Sequence, residues 1–235
     1  MKNIRFTELL NIEPQKHKKI AVVGGGGKTS LIFRLTEELK ESGKKVIVTT
    51  TTHMASEPDR PYTEAGDWEK LKFNIDNFGY TVTAVVEAQK GKIAAPRQKI
   101  LDQLHENCDV LLIEADGAKR LPLKVPETWE PVIPDWTDLV IGVMGLDSLG
   151  RSIQETAHRP WNVAAFLGKR EEDFVETDDL MKIAVSEAGL RKNVNKRDYR
   201  VYFNKLDALK NPQAAEELCR ELKIQGIYAV FGQLK

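Results

Sequence analysis

Cysteine is scarce in this chain: Cys108 and Cys219 are the two among 235 residues. Two thiols so far apart in sequence supply neither a disulfide framework nor a thiolate metal site. Charge of one sign is missing too, since 35 lysines and arginines balance 35 aspartates and glutamates. That balance removes any general pull toward nucleic acid or anionic membrane and leaves only local patches. Long hydrophobic runs are absent, and none approaches the ~20 residues of a membrane span. The start, Met1-Lys-Asn-Ile-Arg, lacks the apolar core of a signal peptide. The cytoplasm is the expected compartment. Histidines are few, and His53 and His158 stand alone, so no metal site is assigned to them.

What remains is ample material for a core, with 41% hydrophobic and 30% charged residues. Apolar runs of strand length alternate with helical patterns, as in a parallel sheet covered by helices. Leu31, Leu35 and Leu39 recur at i+4 spacing and predict a helix over 28–41, ended by Gly43. Strands are expected at 45–48, 80–87, 110–113, 139–144, 200–203 and 227–231. Helices are expected at 97–107 and at 212–223, the latter opened by Asn211-Pro212. Residues 54–78 read as a loop or irregular insert, and 89–92 as a turn into Ile93. The expectation is one domain over 1–235, with an irregular insert at about 54–96. A charged helical insert, read as a capping subdomain, is expected at about 152–197.

Lys19-Ile-Ala-Val-Val-Gly24-Gly25-Gly26-Gly27-Lys28-Thr29-Ser30 is the most informative stretch. It reads as a short apolar strand, a turn of glycine alone, then Lys-Thr opening a helix. Glycines let successive backbone N–H groups curl around phosphate oxygens where a Cβ would collide. The helix adds its unpaired N–H groups and the positive end of its dipole. Lys28 is placed to reach β/γ-phosphates, with Ser30 following in the same turn, and Thr29 to ligate Mg²⁺. The usual longer pattern needs glycine at position 22, where this chain has Val22. The shorter G-x-x-G-K-T loop from Gly24 to Thr29 fits instead. The expected class is therefore α/β and P-loop NTPase-like, mostly parallel, with helices on both faces and a helical insert.

Val110-Leu-Leu-Ile-Glu114-Ala-Asp116-Gly117 puts two acids at the carboxyl end of a buried strand, where open α/β sheets bind ligands. Glu114 and Asp116 are candidate Mg²⁺ ligands, directly or through water. Gly117 completes an acid-x-x-Gly pattern whose glycine N–H can meet the γ-phosphate. Val201-Tyr-Phe-Asn204-Lys205-Leu206-Asp207 carries N-K-x-D directly after a strand, the guanine-reading arrangement. The Asp207 carboxylate can accept both N1–H and the exocyclic N–H of guanine, while Asn204 and Lys205 brace the loop. Adenine presents no such donor pair.

Between Gly117 and Thr137 lie four prolines and the cations Lys119, Arg120 and Lys124, with no secondary structure expected. The segment reads either as a mobile switch or partner-binding loop, or as a stiff surface crossover. Thr49 to Thr52 ends a strand, where a hydroxyl can meet Mg²⁺ or phosphate; threonine is equally a good strand residue.

VVGGGGKTSL, VTTTTHM, LLIEADGAKRLPLK, GLDSLG (Gly145 to Gly150), AHRP (Ala157 to Pro160) and FNKLD together resemble the YqeC family over nearly the whole chain. The resemblance implies a bacterial accessory protein in the maturation of molybdenum hydroxylases that carry a labile selenium cofactor. More distantly, the short loop, E-x-x-G and N-K-x-D look like metallochaperone GTPases serving nickel and molybdenum enzymes. The implied function is a GTP-binding accessory switch whose Mg²⁺-dependent hydrolysis gates cofactor delivery or insertion. Its partner would be a molybdenum hydroxylase or its cofactor-loading machinery. Two rivals stay open: a P-loop small-molecule kinase or ligase using ATP or GTP, and a binding module without turnover. In the catalytic reading, Lys28, Asp116, Lys119 and Arg120 carry the chemistry.

Overall fold

A computed structural model describes residues 4–87 and 91–234. The chain forms two compact units that interleave along the sequence. The first takes residues up to Val22, Thr29 to Gly117 and Val132 to Leu139; the second takes Val23 to Lys28, Ala118 to Pro131, and Val140 onward.

The first unit is an α/β layer. Its strands are β1 (Lys19–Gly24), β2 (Val46–Thr50), β3 (His53–Ala55), β4 (Tyr62–Glu64), β5 (Tyr80–Val86), β6 (Lys92–Ala94) and β7 (Val110–Glu114). Parallel pairing runs β1-β7-β2-β5, with β4 also parallel to β5. The short β6 and β3 continue the sheet antiparallel. All five residues of β2 and of β7 are buried, which explains their apolar and β-branched composition up to Glu114, the acid that ends β7. The helices are α1 (Phe6–Leu9), α2 (Lys28–Glu41), α3 (Trp68–Phe78) and α4 (Gln98–Leu104). Leu31, Leu35 and Leu39 of α2 are fully buried, as the i+4 spacing predicts. Each contributes about 2 kcal/mol of apolar burial. Gly43, at φ +79°, ends the helix in the left-handed turn that glycine adopts without a Cβ penalty. Glu38, buried on α2, accepts the Phe6 and Thr7 backbone N–H groups at 2.9 Å each and so caps α1.

One expectation fails here. Residues 54–78 are not irregular: they hold β3, β4 and α3. Asp67 caps α3 by accepting from Lys70 N at 3.0 Å, and Gly79 at φ +76° closes it. The buried face is narrow and includes a polar residue, which hides the helical period. Leu71 and Ile75 flank Asn74, whose amide bonds Thr63, Thr81 and the Tyr62 carbonyl. The expected turn at 89–92 lies partly outside the described residues.

The second unit contains β8 (Leu123–Lys124), β9 (Leu139–Gly145), β10 (Ala157–His158), β11 (Asp198–Asn204) and β12 (Tyr228–Phe231). β11 lies between β9 and β12 and is parallel to β12, while β8 and β10 form a separate parallel pair. Its helices are α5 (Ile153–Thr156), α6 (Pro160–Leu167), α7 (Thr177–Val185) and α8 (Gln213–Ile224). Asn211 does help open α8, its side chain accepting from Gln213 N at 3.0 Å. The charged stretch 152–197 is a series of short helices and turns.

The proline-rich segment departs from expectation. It contains β8, and its Ala118–Pro131 part makes hydrogen bonds within the second unit, so the expected absence of secondary structure does not hold. Leu121 O accepts from Gly26 N at 2.9 Å, Pro122 O from Gly145 N at 3.0 Å, and Pro131 O from Asn193 at 2.9 Å. Lys192 donates to the Glu127 carbonyl. No helix among the described residues is long and apolar enough to cross a membrane.

Candidate nucleotide site

The glycine loop adopts the conformation its composition predicts. Gly24, Gly26 and Gly27 have φ of +96°, +77° and +125°, a region that side chains with a Cβ rarely enter. Space is as restrictive as backbone angle. A Cβ on Gly24 would lie 2.3 Å from Val143 O, and one on Gly26 would lie 2.3 Å from Gly145 N. On Gly25 it would meet Leu121 O at 2.7 Å, and on Gly27 the Asn204 amide nitrogen at 2.4 Å. Backbone atoms bar a Cβ at Gly24, Gly25 and Gly26 before any ligand is considered, while at Gly27 a positive φ and the Asn204 side chain disfavour one. Gly25 N donates to Val143 O at 2.9 Å, so the loop's first turn is fixed by β9.

Lys28 is buried, and its ammonium donates to Gly24 O at 2.6 Å, curling back over the loop that it follows. The Asn204–Asp207 motif meets the same loop. Asn204 Nδ2 donates to Gly26 O at 2.7 Å, while its Oδ1 accepts from Leu234 N and the Tyr202 hydroxyl at 3.2 Å each. Lys205 stands in the left-handed region at φ +63° and pairs with Asp147 at 2.7 Å. Asp207 is exposed in the short helical turn Leu206–Ala208. Burial, and secondarily the Asp207 charge, pushes the Tyr202 phenol well above its ordinary range. The motif is thus braced by Asn204 and leaves its carboxylate open to a ligand.

Glu114, the last residue of β7, and Asp116, two residues beyond it, belong to the first unit. Thr29 Oγ1 donates to Glu114 Oε2 at 2.7 Å. Pairing sets Val22 and Thr50 on either side of Glu114. Glu114 and Asp116 are both buried, at 6% and 2% exposure, unusual for two neighbouring carboxylates. Thr49, Thr50 and Thr51 give their hydroxyls to the carbonyls of Thr83, Glu114 and Val132, so these three serve the strand ends. The Thr52 hydroxyl is buried without a hydrogen-bond partner. Among the described residues no cluster of three or more histidine, cysteine or acidic side chains could hold a metal unaided. A hydroxyl beside carboxylates suits Mg²⁺, which completes its shell with water and phosphate oxygens. Ser30 is exposed on α2, and Gly117 has no atom within 4 Å of where a Cβ would stand.

Lys119 and Arg120 are exposed and consecutive, at φ +47° and +64°. Two adjacent left-handed residues with side chains hold backbone strain of the kind concentrated at functional sites. Close in sequence is a buried charge network. Lys124, with no exposed side-chain surface, donates to Glu130 at 2.8 Å, and Arg159 to the same oxygen at 3.0 Å. Burial raises the Glu130 pKa, but the two cations outweigh it and the net direction is down. His158, aligned with Lys124 across the β8–β10 pair, is pushed down to about 4 by burial and then by Arg159, Lys124 and Lys119.

The family described as YqeC protein matches residues 20–161. The chain belongs to the YqeC family. "Uncharacterized protein YqeC" of Escherichia coli (strain K12) is 34% identical over 246 residues, covering 98% of this chain and 94% of that relative. The solved structure of hydrogenase maturation factor HypB from Archaeoglobus fulgidus aligns over 97% of this chain and 85% of its own, at 13% identity and a TM-score of 0.42. A likeness that loose carries no inference about chemistry. In this YqeC-family chain the matched span includes the glycine loop, Glu114 and Asp116, whereas Asn204 to Asp207 lie beyond it.

Sequence reasoning missed three contributors. Leu190 fills the space beside Gly24 and Gly142, Val143 O anchors Gly25, and Asp147 holds Lys205. Only Asp147 left a signal, as the acid inside the GLDSLG segment.

Proposed function

We propose that this YqeC-family protein binds GTP and acts as an accessory switch in the maturation of selenium-dependent molybdenum hydroxylases. The observation that carries the nucleotide reading is the Asn204–Gly26 hydrogen bond, which makes one motif brace the other. A polar turn with no ligand has no need of an asparagine locked onto a glycine loop 178 residues earlier. Triphosphate oxygens would take the backbone N–H groups after Gly26, those of Gly25 and Gly26 being held by Val143 O and Leu121 O, with Lys28 exchanging its Gly24 carbonyl for phosphate. Mg²⁺, held by Thr29 with Glu114 and Asp116, would neutralise charge developing on the phosphates. Asp207 would read the guanine edge. Hydrolysis would gate delivery or insertion of the cofactor in the cytoplasm. A molybdenum hydroxylase or its loading machinery would bring Lys119 and Arg120 to the γ-phosphate.

Steady-state phosphate release tests this reading. The expected result is slow release from GTP by the protein alone and a rise of about 10³-fold with the partner, the scale of an ordered arginine. Rapid turnover with transfer of phosphate to a small metabolite, with GTP or ATP, would instead establish a kinase or ligase. Tight binding without release under any condition would leave a binding module.

A further inference from the structure

One acid near the glycine loop is used by neither the phosphate nor the metal reading. Asp147 sits in the single turn Leu146–Ser148 that follows β9. Its Oδ2 accepts from Lys205 at 2.7 Å. Its Oδ1 is buried and has no hydrogen-bond partner among the described residues. That oxygen lies 2.3 Å from where a Cβ on Gly145 would stand, so the carboxylate is folded back onto its own strand end and held in one orientation. Gly145 is itself pinned by Pro122 O, and its amide nitrogen is the atom that excludes a Cβ from Gly26. The turn bearing Asp147 also packs against the turn Leu206–Ala208 that bears Asp207.

An ordinary surface ion pair leaves its second oxygen in water, since burying an unpaired acceptor is costly. Here one oxygen is buried and the other fixes a lysine. That lysine stands at φ +63°, a conformation disfavoured for any residue with a Cβ. Two unfavourable local states are thus coupled through one contact, directly between Asn204 and Asp207. Resting on the guanine reading above, we propose that Asp147 is a positioning residue for base recognition. Its ion pair with Lys205 sets the left-handed turn that presents Asp207 to guanine while Asn204 stays on the glycine loop. Glu114, Asp116 and Lys28 act on phosphate and metal; Asp147 acts on the base through Lys205.

Titration calorimetry of the full chain with GTP, GDP and ATP, in Mg²⁺, tests the idea. Asp147→Asn keeps the shape and removes the charge. It is expected to weaken GTP and GDP alike by about three- to fivefold, the scale of a partly exposed ion pair. ATP binding and the GTP/GDP ratio should stay as in the wild type. Lys205→Ala should do the same, and the double variant should be no weaker than the worse single one. Asp147→Glu should recover part of the loss. Multiplying effects in the double variant, or an unchanged GTP affinity in Asp147→Asn, overturns the positioning role. If Asp147→Asn unfolds, Lys205→Ala and Asp147→Glu decide: wild-type GTP affinity in both overturns the role. A wild-type protein with no preference for GTP over ATP overturns the guanine reading itself, a distinct result that precedes the variants.

Discussion

The Asn204 amide donates 2.7 Å to the Gly26 carbonyl, and the same nitrogen lies 2.4 Å from where a Cβ on Gly27 would stand. One side chain therefore both holds the glycine loop and enforces its composition. Glycine at 27 has a steric reason inside the protein as well as a chemical one toward a ligand.

Base preference follows from this brace. The chain should bind GTP more tightly than ATP by about 2–3 kcal/mol, the worth of a bidentate charge-assisted contact. Asp207 is exposed, so Asp207→Asn should remove the preference without altering thermal stability. Equal or tighter ATP binding in calorimetry would sink the guanine assignment.

Phosphate and metal roles should separate. Lys28→Ala should weaken GTP at least tenfold yet leave guanosine binding near wild type, because in the proposed complex the phosphates are the only part of the nucleotide that the ammonium meets. Thr29→Ala and Glu114→Gln should instead flatten the Mg²⁺ dependence of GTP affinity. If all three variants match the wild type across an Mg²⁺ titration, the loop binds no triphosphate.

Gly26→Ala should be destabilising by about 2 kcal/mol or more, combining a left-handed φ with overlap on the Gly145 backbone. Gly43→Ala has the same sign of φ but open space, so it should cost only about 1 kcal/mol. Denaturant unfolding of the pair isolates the steric part. A Gly26 variant no worse than the Gly43 variant would show that the loop yields easily.

Acid should weaken the fold in a defined window. His158 titrates near 4 in the folded chain against an ordinary 6.5, so between these values the unfolded chain binds a proton that the folded one refuses. Stability is full above pH 6.5 and falls as pH drops toward 4. Glu130, its pKa lowered, adds its own loss only as pH falls below the ordinary carboxylate range. Melting temperature across pH 4 to 7 should slope in the wild type and be flatter in His158→Asn. A wild-type plateau down to pH 4.5 would contradict this.

Removing one member of the buried ion network should hurt more than any surface pair. Glu130→Gln leaves the fully buried Lys124 without its 2.8 Å carboxylate and should cost about 3 kcal/mol. Arg170→Gln, at an exposed pair with Asp173, should leave the unfolding midpoint nearly unmoved. Chemical denaturation ranks the two directly, and comparable midpoints would mean Lys124 finds another acceptor.

Sequence by itself determined the pieces whose physics is local. The i+4 leucines of α2, the apolar run Val110 to Ile113 with acids following it, and the glycine run before Lys28-Thr29 each reveal themselves through period, spacing or backbone freedom within about a dozen residues. Asn204 to Asp207 was legible for the same reason, since it directly follows an apolar strand. Helix α3 was not, because its buried face carries Asn74 and breaks the hydrophobic period. Nor was the anchoring of the proline-rich segment, since Leu121 and Pro122 act through backbone carbonyls that any residue type would supply. Tertiary structure alone decided that Asn204 grips Gly26, that Leu190 fills the space beside Gly24, and that Asp147 holds Lys205. Those contacts join residues 178, 166 and 58 positions apart, and only packing of whole elements brings such groups together.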